Sequence, residues 1–69
     1  MKTRIYKPER LIYEIHDNVY AFDIWKDGDD YRVHAIRIDA NDNHKQFESG
    51  KDREAVIQKA ILQIDASLR

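Results

Sequence analysis

The chain contains no cysteine, which excludes disulfides, thiolate nucleophiles and cysteine-ligated zinc. One proline and two glycines in 69 residues leave little room for a flexible linker, and neither glycine opens a phosphate-binding loop. No apolar run approaches the length of a membrane span. The opening stretch MKTRIYKPER lacks the apolar core of a signal peptide, so a cytoplasmic protein is the expectation. A charge excess is missing too: 12 lysines and arginines stand against 13 acidic residues, for a net charge of -1. No global field is available to draw in nucleic acid.

What is present is a strongly periodic apolar pattern in a chain that is 42% hydrophobic, which predicts one folded domain spanning 1–69. A single core of this size, with no covalent staple, gives modest stability. Residues 1–9 form a basic N-terminal arm, in which Lys2, Arg4 and Lys7, with Arg10 just beyond, face only Glu9. Pro8 removes one backbone donor and holds Lys7 extended, so the arm is expected to be a solvated, non-helical terminus.

From Arg10 to Asp17, Leu11, Tyr13 and Ile15 alternate with Glu14 and His16, the period-two signature of a strand with one buried face. Asp17-Asn18 marks a turn. Val19 to Lys26 then places Tyr20, Phe22 and Ile24 on one face and Val19, Ala21, Asp23 and Trp25 on the other. Asp27-Gly28 signals a hairpin, because glycine tolerates positive φ. Tyr31 to Asp39 returns as a third strand, whose phase slips from Tyr31, Val33 and Ala35 to Ile36 and Ile38. The slip predicts a bulge near Ala35 or a strand buried on both faces. A polar loop over 39–43 leads to a short fourth strand over 44–48 around Phe47. Asp52 is the expected helix N-cap, with Ser49 and Asp52 as a capping box the other choice. Ile57, Ala60, Ile61, Ile64 and Leu68 then make one helical stripe. The predicted fold is α+β: a three- or four-stranded antiparallel sheet with one C-terminal helix packed on the face carrying Tyr13, Ile15, Phe22, Ile24 and Val33.

Chemistry-bearing residues are scattered. His16, His34 and His44 fall on different elements without the close partner that a metal or general-base site needs. His16 and His34 meet only if their strands are neighbours. Ser49 and Ser67 lack the context of an activated nucleophile, and a thin core leaves little volume for a substrate pocket. The stretch Asp39 to Asn43 offers oxygens at the first, third and fifth positions of a calcium loop. His44 then stands where that loop needs glycine, and Gly50 where it needs glutamate. The expectation is a protein that is not an enzyme and takes no cofactor or metal.

Binding is the remaining class. By parity, the helix-free face carries Ile12, Val19, Ala21, Trp25, Ile36 and Ile38, more apolar surface than a small monomer usually exposes together. Ile12, Val19, Trp25, Arg32, His34 and Ile36 are the candidate partner-binding residues, for another protein or for a second copy in a homodimer. A tryptophan flanked by charge suits an interface anchor. The alternative is nucleic-acid binding through Lys2, Arg4, Lys7, Arg10, Trp25 and Arg32, with bases stacking on the open sheet. Glu14 and Asp23 share that face and oppose a phosphate backbone.

The stretch Asp27-Gly28-Asp29-Asp30-Tyr31-Arg32-Val33, followed by Ser49-Gly50-Lys51-Asp52, Glu54-Ala55 and Ala60, resembles the small HicB-type antitoxin domain. The resemblance runs from Phe22 to Leu62. It implies the same strand-hairpin-strand-loop-strand-helix order and a protein that masks a toxin. The Pro-Asp-Leu-Pro-Gly segment of that family is replaced by Ile36-Arg37-Ile38-Asp39, and the alanine spacing of the helix differs. No functional residue carries over.

Overall fold

The computed structural model describes residues 7–39 and 44–68. Four strands, β1 (Glu9–Ile15), β2 (Asn18–Asp27), β3 (Asp30–Arg37) and β4 (Lys45–Gly50), precede one helix, α1 (Arg53–Ser67). The strands lie in the order β1-β2-β3-β4 with every neighbouring pair antiparallel. The fold is therefore α+β, an open antiparallel sheet with a C-terminal helix on one face. β1, β2 and β3 are consecutive neighbours because connections of two residues can only reverse the chain beside itself, while a longer connection, residues 38–44, leads to β4.

The first hairpin turns on His16 and Asp17, at φ 50° and 64°, and Ile15 pairs with Asn18. The turn thus falls one residue before the Asp17-Asn18 signal, and Asn18 is the first residue of β2. Both central residues occupy the left-handed region, the requirement of a two-residue hairpin whose twist matches its strands. In the second hairpin Gly28, at φ 65°, takes the first central position between the paired Asp27 and Asp30, where a side chain would be strained.

The register of β3 corrects the predicted bulge. Phe22 pairs with Ala35, Ala21 with Ile36 and Tyr20 with Arg37 in unbroken sequence. Ala35 is buried under the helix while Ile36 is half-buried on the opposite face. The apparent phase slip is a strand with apolar residues on both sides, the second of the two expectations. β4 begins at Lys45 and runs to Gly50, two residues beyond the predicted end, so Ser49 pairs with Arg32 inside the sheet. That placement excludes Ser49 from a capping box.

The core lies between α1 and one sheet face. Ile15, Tyr20, Phe22, Ile24, Val33 and Ala35 from the strands meet Val56, Ile57, Ala60 and Ile64 from the helix. Leu11, Tyr13, Tyr31, Ile61 and Leu68 pack around them. Tyr13 meets Phe22 edge-on at 4.9 Å between ring centroids, a geometry that adds to area burial. Val56 joins the predicted stripe because the first helical turn lies close over β4, where an atom at the Cβ position of Gly50 would stand 3.0 Å from Val56 Cγ2. Asp52 holds the N-cap position with extended backbone, as expected, but its side chain makes no capping hydrogen bond. Ion pairs fasten the helix to the sheet, Arg53 to Glu9 and Lys59 to Glu48 at 3.4 Å, and a hydrogen bond between His16 and Asp65 ties it to the first turn.

Among the described residues no helix is long and apolar enough to cross a membrane.

Candidate interaction face

The face of the sheet opposite the helix is built from cross-strand rows, and the register states which side chains share each row. Ile12, Ala21, Ile36 and Lys45 form one row across all four strands. Arg10, Asp23, His34 and Phe47 form the next. Trp25, Arg32 and Ser49 form a third, with Asp27 and Asp30 beyond them. Val19 and Glu14 flank the first row on its other side. All six predicted partner-binding residues, Ile12, Val19, Trp25, Arg32, His34 and Ile36, thus lie on this one face.

They do not contribute equally. Ile12 is 57% exposed, and Phe47 in the neighbouring row is 63% exposed. Val19, Trp25 and Ile36 are half-buried. Ala21 is fully buried between its larger row neighbours Ile12 and Ile36, so its methyl offers no surface. Ile38, just past β3, is 51% exposed and donates its amide to Val19 at 2.9 Å. Phe47 is the residue that sequence reasoning placed on the fourth strand without assigning it to the face. Its ring stacks on His34 at 4.4 Å with planes 5° apart, making one flat plate from two side chains. Among the described residues the buried imidazole Nε2 of His34 has no hydrogen-bond partner.

Charge on this face is largely satisfied internally. Arg10 donates from Nε to Asp23 Oδ1 at 2.8 Å and from Nη2 to Asp23 Oδ2 at 2.9 Å, a two-pronged pairing that fixes both side chains. The Arg10 hydrogen bonds hold the Asp23 carboxyl below its ordinary range, against partial burial that pushes it up, and the charges of Arg10 and His34 add to the lowering. The same pairing raises the guanidinium of Arg10. Arg32 donates from Nε to Asp27 at 2.9 Å.

A groove of about 530 Å³ runs along the face, lined by Pro8, Asp23, Trp25, Asp27, Arg32 and His34. It lies on the sheet surface, outside the thin core from which little pocket volume was expected.

The remaining candidates are dispersed. His16 sits in the first turn, paired to Asp65 of α1, and His34 sits in mid-sheet. They do not meet, because β2 lies between β1 and β3. His44 packs edge-on against Tyr20 and lies 3.3 Å from the Ser67 hydroxyl. No cluster of three or more potential metal ligands occurs among the described residues. Asp39, which opens the calcium-like stretch, accepts from Arg37 Nε at 2.6 Å. That bond leads the lowering of its carboxyl. Residues 40–43 lie outside the described residues, as do Lys2 and Arg4 of the nucleic-acid alternative. Lys7 of that set is exposed beside β1, Trp25 is half-buried, and Arg10 and Arg32 are the paired arginines above.

Comparison of the chain with protein-family models, curated proteins and solved structures returns no match.

Proposed function

We propose that this chain is a small non-enzymatic interaction module that binds another protein through the helix-free face of its sheet. The observation that carries the reading is the combination of exposed Ile12 and Phe47 around half-buried Ile36 with arginines already engaged by carboxylates in their own sheet. An apolar centre with a charge-balanced rim suits a protein surface. It suits a phosphate backbone poorly, since Arg10 and Arg32 would have to exchange Asp23 and Asp27 for phosphate. Glu14, Asp23, Asp27 and Asp30 also outnumber Arg10, Arg32 and Lys45 on this face. The partner chemistry that fits is an apolar, aromatic-rich patch. An antitoxin-like or inhibitor-like role, in which the face masks a functional surface of another protein in the cytoplasm, is the form of binding that the HicB-type resemblance suggests.

A photo-crosslinking residue tests this when it replaces Phe47 on the face or Leu62, which is exposed on the helix. Position 47 is expected to give a nuclease-resistant adduct with a protein other than this chain, and position 62 none. Adding Ile36→Lys should weaken the adduct about tenfold, as for a central interface residue. Equal adducts at both positions, or loss of the adduct on nuclease treatment, would overturn the reading, the second in favour of nucleic acid.

A further inference from the structure

Among the described residues β1 and β4 are the two edges of the sheet, and an edge strand presents a row of backbone groups ready to pair with another strand. The hydrogen-bond pattern states which groups these are. Ile38 donates to the carbonyl of Val19, so the odd-numbered residues of β2 turn their backbone groups toward β3. The even-numbered residues turn theirs toward β1, and their partners Ile15, Tyr13, Leu11 and Glu9 turn inward to meet them. Arg10, Ile12 and Glu14 therefore point their N–H and C=O groups away from the sheet. All three are exposed.

We propose that β1 pairs with β1 of a second copy, antiparallel and centred on Ile12. In that register Ile12 lies opposite Ile12 of the other copy, and Arg10 lies opposite Glu14 at both ends. All three outward-facing residues exchange backbone bonds, and two opposite charges face one another twice by symmetry. The Arg10 guanidinium, held to Asp23 through Nε and Nη2, keeps Nη1 for the carboxylate of the second copy. Neighbouring registers are poorer. Centring on Arg10 or on Glu14 sets like charges opposite each other. A shift that places Arg10 opposite Ile12 sets Glu14 opposite Pro8, which has no amide to give. β4 lacks the same complementarity: Arg37 donates to His44, so Lys45, Phe47 and Ser49 point outward, and pairing about Phe47 sets Lys45 opposite Ser49.

The product is a continuous sheet joining two four-stranded halves, with both helices on one side and the two exposed Ile12 side chains adjoining on the other. The pairing runs through the backbone edge of β1 and leaves Ile36 and Phe47 of the face uncovered, so either proposal can fail alone. A seven-residue strand buries less than about 1,200 Å², which places the dimer among weak associations.

Sedimentation equilibrium from micromolar to millimolar concentration reads the mass, and amide exchange in the same samples reads the surface. The mass should rise from 8.2 kDa toward twice that value while the amides of Arg10, Ile12 and Glu14 become protected. Ile12→Pro removes an amide that β2 does not use and should keep the chain monomeric, whereas Ile12→Ala, which retains the amide, should still dimerise. Glu14→Lys sets like charges opposite at both ends and should raise the dissociation constant about tenfold, independently of how Ile12→Pro folds. A mass of one chain at millimolar concentration overturns the proposal. So does a dimer in which those three amides exchange as fast as in dilute solution.

Discussion

The first hairpin stores conformational energy that one substitution should release. His16 and Asp17 both sit at positive φ, where an L-residue is disfavoured by about 1–2 kcal/mol. Aspartate bears the conformation better than most residues, so the strain at Asp17 is about 1 kcal/mol or slightly more. Glycine removes it but enlarges the backbone freedom of the unfolded chain, which returns part of the gain. Asp17→Gly is therefore expected to stabilise the domain by ~0.5–1 kcal/mol, a rise in melting temperature of roughly 2–8 °C for a chain of this size. His16→Gly should gain less, because it also breaks the pair with Asp65 that ties the turn to α1. Urea unfolding followed through the single tryptophan, half-buried Trp25, gives both values, with the denaturant slope unchanged if the folded surface is unchanged. A midpoint for Asp17→Gly at or below that of the unmodified chain would refute the argument that this turn is strained.

Two further outcomes follow from the packing and the charge pairs. Asp23 titrates below its ordinary range chiefly because Arg10 bonds to it. Its ionised form thus contributes stability that is present above the unfolded carboxylate value of about 3.9 and is lost as pH falls through the lower folded value. Arg10→Met removes the cause and leaves partial burial, which acts the other way. The stability difference between the two proteins should accordingly shrink as pH drops below about 4, and an unchanging difference in thermal melts across that range contradicts the pairing. Gly50→Ala would bring a methyl to 3.0 Å from Val56 Cγ2, and Val56 is only 2% exposed. A loss of about 1 kcal/mol is expected. In a Val56→Ala background the same change should be neutral or stabilising, and a double-mutant cycle without that coupling refutes the contact.

Much of the face was legible before any coordinates. Alternation in β1 and β2 places Ile12, Val19 and Trp25 opposite the residues that pack under the helix, and a shared two-residue period extends the assignment to Arg32 and His34. Phe47 was not assignable in this way. Its row depends on how β4 aligns with β3 across a connection too long to dictate the register. Arg10 and Asp23 illustrate the same limit. Thirteen residues apart in the chain, they become partners only through the register of the first hairpin, and with that pairing an apparent basic arm loses one of its free charges.

The amino-acid sequence by itself determined the fold class, the element order, the core-facing residues of three strands and most of the helical stripe. These follow from local periodicity and turn chemistry, which act over a few residues and need no partner. The tertiary structure decided what depends on distance in the chain. It placed the first turn one residue earlier, because Ile15 belongs to the core and must pair before the chain reverses. It kept β3 straight, because Ile36 has a place among Ile12 and Ala21 on the open face. It also selected which backbone groups of β1 point to solvent, since that choice is set by the hydrogen-bonding partner of every neighbouring strand.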